Sequence, residues 1–139
     1  MDLEDCKRKG FIRKTSKNKE LVMSLIEMSN LKEDVVKTSV IEGDKVSVFL
    51  PIAYDSLREI LEGICIMHGF KVTSHVCVEK LLESIYKDVS FVEFDRFRYV
   101  RNSINYYGEK VDPNQGKEII DKIFILKKSF LVMLNDLLK

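Results

Sequence analysis

Apolar residues recur at intervals of three and four positions along most of this chain, from residue 16 to residue 138. That spacing is typical of helices that bury one face and leave the other in water. Alternation with a period of two, which would indicate a strand, appears only briefly between Val46 and Phe49. The pattern therefore predicts an all-α fold, an up-and-down bundle of about five helices with short connections, formed by residues 1–139 as one domain.

Glycine, proline and capping residues interrupt the periodic pattern and set the expected helix boundaries. We expect a short helix over residues 3–9 and longer helices over residues 16–38, 45–68, 75–87, 94–108 and 114–138. Ser16 is the expected N-cap of the first long helix, with Glu20 close to the capping-box position. Pro51 leaves two options for the next helix, because a proline can occupy one of the first turns or mark a break.

The longest helices have distinct apolar faces. In the helix over residues 16–38, the expected core residues are Leu21, Leu25, Met28, Leu31 and Val35. The helix over residues 45–68 has a broader stripe, consisting of Tyr54, Leu57, Ile60, Leu61, Ile64 and Cys65. A stripe of that width predicts a central helix that is contacted on more than one side, with Arg58, Glu59 and Glu62 keeping one edge in water.

The helix over residues 94–108 has an unusual polar face. Its expected buried stripe is Phe97, Val100, Ile104 and Tyr107. About 100° around the helix lie Asp95, Arg98, Asn102 and Asn105, with Arg101 at the border between the two faces. The planar fork of arginine suits phosphate or carboxylate, and asparagine is a weak helix former. These side chains either form a binding surface or bond a neighbouring loop or helix.

Charge adds one further feature, in an N-terminal arm of residues 1–15 that includes the short helix. The net charge of +1 argues against a protein that coats nucleic acid by bulk charge, so any such binding needs a local patch. Between Lys7 and Lys19 there are seven basic residues and no acidic one. This block is either a phosphate-facing patch or a solvated, partly mobile arm.

Several classes of protein are not expected from the sequence. No apolar run is long enough to span a bilayer, and the N-terminus is acidic, so we expect a cytoplasmic protein. The three cysteines fit free thiols in a reducing compartment better than a disulfide framework. The spacing of Cys65, His68, His75 and Cys77 matches no zinc motif, and there is no glycine-rich phosphate loop. We therefore predict no metal site and no cofactor.

Arg101-Asn102, followed four residues later by Tyr106-Tyr107-Gly108, resembles the HEPN superfamily, particularly its small archaeal members. The resemblance covers most of the chain and extends to the arm at residues 10–14, the segment 54–59, the Gly69-Phe70 stop and the Ser74-His75 helix start. It implies a compact and usually dimeric helical bundle. Many members of that superfamily are metal-independent ribonucleases, or toxins paired with a nucleotidyltransferase antitoxin.

The chain departs from the family pattern at one position. The family motif is an arginine, commonly followed by Asn, Asp or His, and then, after four to six residues, a histidine on the same helix. Tyr106, Tyr107 and Gly108 occupy the positions expected for that histidine. A tyrosine with an ordinary pKa of about 10 accepts protons poorly at neutral pH.

The resemblance and this departure together imply a homodimer that binds RNA or a nucleotide without cutting it efficiently. The expected binding residues, helped by the basic arm, are Arg98, Arg101, Asn102, Asn105 and Tyr106. Tyr106 either stacks on a base or seals the dimer interface.

Two alternatives stay open. The first is an active, toxin-like and metal-independent ribonuclease with Arg101, Asn102 and Tyr106 as candidate catalytic residues, in which Tyr106 or His75 replaces the family histidine. The second is an interaction subunit that docks a nucleotidyltransferase or another partner through an apolar helix face. An open cleft around Arg101 and Asn102 would favour binding or cleavage, whereas burial of both in internal hydrogen bonds would favour the interaction subunit.

Overall fold

The computed structural model describes all residues 1–139 and contains six α-helices and two short strands. In chain order these are α1 (Leu3–Arg8), β1 (Ile12–Lys14), α2 (Lys19–Thr38), α3 (Val46–Met67), β2 (Phe70–Val72), α4 (His75–Ile85), α5 (Val92–Tyr107) and α6 (Pro113–Leu138). A 3₁₀ turn over Gly43–Lys45 precedes α3. The predicted all-α helical bundle is confirmed. None of the helices combines the length and the hydropathy that crossing a bilayer requires.

α3 is the central helix, as its broad apolar stripe predicts. All six residues of that stripe are fully buried, and α2, α4, α5 and α6 all pack against this helix. Gly63 of α3 allows α2 and α6 to approach the backbone of α3 closely, because a Cβ there would lie 2.9 Å from Leu134 Cδ2 and 3.5 Å from Val22 Cγ1. Pro51 lies inside α3, so the helix does not break at that residue.

Glu59 is buried, although we expected it at the wet edge of α3. Its side chain lies among the neighbouring helices, and its carboxylate is 2.8 Å from Lys32 Nζ on α2. The prediction was wrong for this residue because an ion pair with the next helix offsets the loss of hydration.

Four of the five predicted core residues of α2 are also wrong, and only Leu25 packs against the core. Leu21, Met28, Leu31 and Val35 are between 39% and 55% exposed, and the buried positions are Val22, Ser29 and Val36. The buried stripe contains a polar residue, Ser29, whose hydroxyl donates a hydrogen bond to the Ser56 carbonyl at 2.6 Å. A serine that is satisfied by a neighbouring helix gives no hydrophobic signal, so the sequence pattern favours the other face. The N-cap of α2 is Asn18 rather than Ser16, because the Asn18 side chain accepts a hydrogen bond from Leu21 N.

The two strands, which the periodicity did not predict, attach the N-terminal arm to the bundle. β1 and β2 pair antiparallel, with Ile12 opposite Val72, Arg13 opposite Lys71 and Lys14 opposite Phe70. Strands of three residues are too short to show a periodic pattern. The brief alternation from Val46 to Phe49 lies instead in the first turns of α3.

The cysteine prediction was wrong as well, because Cys6 and Cys77 form a disulfide that links α1 to α4. Their Cα atoms are 5.8 Å apart although 71 positions separate them in sequence. The strand pairing brings α1 against α4, and that contact cannot be read from cysteine spacing. Only Cys65 is a free thiol, so the cysteine count does not support a reducing compartment.

The ends of α5 and α6 agree well with the sequence. Gly108 has a φ of +65° and caps α5, and the Asp112 side chain caps α6, which begins at Pro113. Within α5 the buried stripe differs, since Phe94 and Phe97 are fully buried whereas Tyr107 is 78% exposed. The stripe therefore ends one turn earlier than expected, at the half-buried Ile104.

Candidate functional site

The structure brings three of the predicted site residues together on α5. Arg101 is half-buried, and its Nη1 donates hydrogen bonds to Asn102 Oδ1 at 3.1 Å and to the Tyr106 hydroxyl at 3.3 Å. Its guanidinium carbon lies 5.6 Å from the centre of the Tyr106 ring and 5.7 Å from the centre of the Tyr54 ring. Both distances allow cation–π contact, so Arg101 is held by two aromatic rings as well as by hydrogen bonds.

The other two predicted residues have separate environments. Arg98 forms an ion pair with Asp95, one turn earlier on α5. Asn105 is exposed, and its side chain makes no hydrogen bond within the protein. Arg98 therefore contributes charge near the site, whereas Asn105 forms no hydrogen bond with Arg101.

Tyr54 and His75 join the site from α3 and α4. The Tyr54 hydroxyl lies 3.1 Å from His75 Nδ1, and the Tyr54 ring stacks against Phe94 of α5. Tyr54 was expected only as a core residue. The signal that could have found its role is a hydroxyl in an apolar stripe, because a buried tyrosine hydroxyl needs a partner. His75, one of the two substitutes considered for the family histidine, thus lies beside a ring that also contacts Arg101.

Burial determines the protonation of this pair. It lowers the pKa of His75 to about 4, and the nearby charges of Arg58 and Arg101 act in the same direction, so the imidazole is neutral at pH 7. Burial raises the pKa of Tyr54, so its hydroxyl keeps its proton. His75 is the only hydrogen-bond partner of that hydroxyl. In the tautomer in which the Tyr54 hydroxyl donates to Nδ1, the proton of the imidazole is on Nε2.

Arg101 differs from its neighbouring arginines in its partners. Arg58 pairs with Glu62 at 2.7 Å, and Arg98 pairs with Asp95, whereas no carboxylate lies within 4.0 Å of Arg101. The Nε atoms of Arg98 and Arg101 are buried and make no hydrogen bond. A buried donor without an acceptor is unfavourable, and a guanidinium without a counter-ion is suited to bind a phosphate oxygen.

One exposed aromatic ring lies beside this guanidinium. Tyr106, whose ring centre is 5.6 Å from the guanidinium carbon, is 69% exposed. Exposed aromatic rings beside a cation are suited to stack on nucleic acid bases. The site thus combines an unpaired positive charge, a neutral imidazole and flat apolar surface.

The four Cys and His side chains between residues 65 and 77 have environments that do not suit a metal site. Cys77 is in the disulfide, and His75 contacts Tyr54. His68 Nε2 lies 2.6 Å from the Tyr86 hydroxyl. Burial raises the pKa of the free Cys65 to about 12, which keeps its thiol protonated. No group of three His, Cys, Asp or Glu side chains is arranged to hold a metal ion.

No family model matches this sequence, and comparison with curated proteins and with solved structures gives no match either. Membership of the HEPN superfamily therefore stays a proposal.

Proposed function

We propose that this chain is a HEPN-like module that binds RNA or a nucleotide, with a phosphate held at Arg101. The observation that carries the proposal is the half-buried guanidinium of Arg101, which has no carboxylate partner and keeps an unpaired Nε donor. Arginine binds phosphate through charge-assisted hydrogen bonds, which are stronger than neutral ones. An anion on the accessible side of this guanidinium would supply the missing counter-charge.

The residues around Arg101 have distinct roles in this proposal. Asn102 and Tyr106 hold one edge of the guanidinium in place through the hydrogen bonds to Nη1. His75 offers its Nε2 hydrogen as a neutral donor to a phosphate oxygen. Arg98 adds positive potential, and the exposed ring of Tyr106 is available to stack on a base.

The protonation state of His75 favours binding over cleavage. A general base is most effective when its pKa lies near the working pH. The His75 pKa of about 4 is far below neutrality, and its Nδ1 is already in a hydrogen bond with the Tyr54 hydroxyl. His75 is thus a weak base in this site, so we propose that the module is catalytically impaired.

We also propose that the protein is a homodimer. The exposed apolar residues on α2 (Leu21, Met28, Leu31 and Val35) give a second copy a surface to cover. A nucleotidyltransferase partner on the same surface is the alternative. Light scattering on the purified chain separates the two, since a stable dimer without a partner would argue against the interaction subunit.

The binding proposal is tested with Arg101→Ala against Arg96→Ala. Arg96 is an exposed arginine on the same helix without an ion pair, so both variants lose the same charge. We expect Arg101→Ala to weaken binding of labelled single-stranded RNA at least tenfold, about 1.4 kcal/mol, and Arg96→Ala to change it much less. Equal affinities for the two variants would contradict the proposal.

A ribonuclease is the second candidate, because the structure positions His75 through Tyr54 and close to Arg101. Its test is cleavage of the same RNA with chelator present, in the wild type, Arg101→Ala and His75→Ala. Cleavage that is lost in both variants would establish an active enzyme and contradict the proposal that the module is catalytically impaired. Cleavage that survives both changes would indicate contamination or another site.

A further inference from the structure

The two-stranded sheet places two cations directly opposite each other. Arg13 on β1 faces Lys71 on β2, and both side chains are exposed. Opposite residues of an antiparallel pair lie on the same face of the sheet, with Cβ atoms about 5 Å apart. Lys71 is thus added to the basic block of the N-terminal arm by strand pairing, which the sequence pattern did not show.

Like charges in this arrangement are destabilising unless something neutralises them. No carboxylate forms an ion pair with Arg13, Lys14, Lys17 or Lys71, whereas ten ion pairs occur elsewhere in the chain. Burial lowers the pKa of His68 at the end of α3, and the charge of Lys17 acts in the same direction. Opposed like charges without a carboxylate partner in the protein are a departure from the usual pairing rule, and such departures are expected at functional sites.

These cations are held on an ordered frame. Thr15 N donates to the Gly69 carbonyl and Thr73 N donates to the Phe11 carbonyl, each at 2.9 Å, so the pairing extends beyond both strands. The Nε of Arg13 donates to the Gly10 carbonyl at 3.0 Å, which orients its guanidinium. The disulfide ties the preceding helix α1 to α4. Such a surface loses little conformational entropy when it binds.

We propose that Arg13, Lys17 and Lys71, here called the sheet surface, form a second contact for the phosphodiester backbone of the RNA held at Arg101. The choice of RNA rests on the proposed function. Only Thr73 and Ser74 separate β2 from α4, which begins with His75, so one strand of RNA can follow the surface into the site. A membrane-binding surface combines cations with exposed apolar side chains, but Ile12 and Val72 of this sheet are buried and Phe70 is half-buried.

The test compares two double variants of the full chain. Arg13→Gln/Lys71→Gln removes the opposed pair. Lys45→Gln/Lys117→Gln is the matched control, because both lysines are exposed and unpaired and lie by the start of α3, where Gly116 packs on Val46. α3 has 22 residues, so this control is about 30 Å from the sheet.

The probe is oligouridylate of about 20 nucleotides, titrated at several salt concentrations. Each phosphate contact on single-stranded nucleic acid contributes about 0.7 to the slope of log K against log salt. We expect Arg13→Gln/Lys71→Gln to reduce the slope by about 1.4 and the low-salt affinity by about tenfold, with the slope of the control unchanged. The thermal midpoint of Arg13→Gln/Lys71→Gln should be equal to or above that of the wild type, because the repulsion between the two cations is removed.

The outcomes separate this inference from the proposed function. Equal slopes for the two double variants would overturn the sheet surface, even if Arg101→Ala abolishes binding. A reduced slope in Arg13→Gln/Lys71→Gln with no effect of Arg101→Ala would support the sheet surface and refute the phosphate site at Arg101. Binding to phosphatidylserine vesicles but not to oligouridylate would overturn the assignment to RNA.

Discussion

Two cations inside this bundle have opposite environments. Lys127 of α6 is 1% exposed, and its Nζ donates to the Ser29 carbonyl at 3.2 Å, to Asn30 Oδ1 at 3.0 Å and to Glu33 Oε1 at 2.6 Å. Arg101 of α5 is half-buried, has no carboxylate partner and leaves its Nε unpaired. The more deeply buried charge is thus the one with a complete set of partners.

The difference separates a structural cation from a candidate binding cation. An ammonium group has three protons, and all three of Lys127 reach acceptors on α2, so this residue joins α6 to α2 and has no capacity left for a ligand. Burial of a charge is tolerated only when it is paired and hydrogen-bonded. Arg101 meets this condition only in part, which is why we place the ligand there.

The largest effect is expected from Lys127→Met, which keeps the apolar stem and removes the charge. The Ser29 carbonyl loses its partner inside the bundle and Glu33 keeps only Lys37, so we expect the free energy of unfolding to fall by about 2 kcal/mol. RNA affinity should not change. Urea unfolding measures the effect, with the exposed neighbour Lys128→Met as control at under about 0.5 kcal/mol. Similar stabilities of the two variants would contradict the structural role.

A smaller effect is expected when Arg101 is given the counter-ion that Lys127 already has. Asn102→Asp places a carboxylate where Oδ1 already accepts from Arg101 at 3.1 Å. We expect RNA affinity to fall about tenfold and the free energy of unfolding to rise by about 0.5 kcal/mol. Ser103→Asp adds the same charge to the same helix but should weaken binding less, because residues two positions apart do not face each other on a helix. If the two variants bind RNA equally, the effect is long-range charge and not the pairing of Arg101.

The smallest effect concerns a third charged group, Glu79 of α4, which lies among other acids. Burial and the nearby Asp95 and Glu83 raise the pKa of Glu79 to about 7, above its ordinary value. The folded protein therefore binds more protons than the unfolded chain, and stability falls as pH rises from about 4.5 through 7. Glu79→Gln removes this loss.

Unfolding of the wild type and Glu79→Gln at two pH values checks this prediction. The two proteins should have similar stability at pH 5, and the variant should be more stable at pH 8 by about 1 kcal/mol. If the difference in free energy of unfolding between the two proteins is the same at both pH values, the prediction is wrong. Glu79 would then be ionised at both pH values and, like Lys127, paired with a group of opposite charge.

The sequence by itself determined the helices and most of their ends. The apolar stripe of α3, the helix ends at Gly69 and Gly108 and the helix start at Asp112-Pro113 depend on residues within a few positions, so their consequences are local. The stripe also predicted the central position of α3. For the candidate site, the sequence supplied Arg101, Asn102 and Tyr106, because their contacts lie within a turn or two of one helix.

Only the tertiary structure decided which surfaces meet. It placed Tyr54 and His75 beside Arg101, paired Arg13 with Lys71 and joined Cys6 to Cys77. It also buried Ser29 on α2 and left Leu31 exposed, because the Ser56 carbonyl on α3 accepts the serine hydroxyl. Helical periodicity describes one helix at a time. The face that is buried, and the charge that is left without a partner, depend on groups supplied by the neighbouring elements.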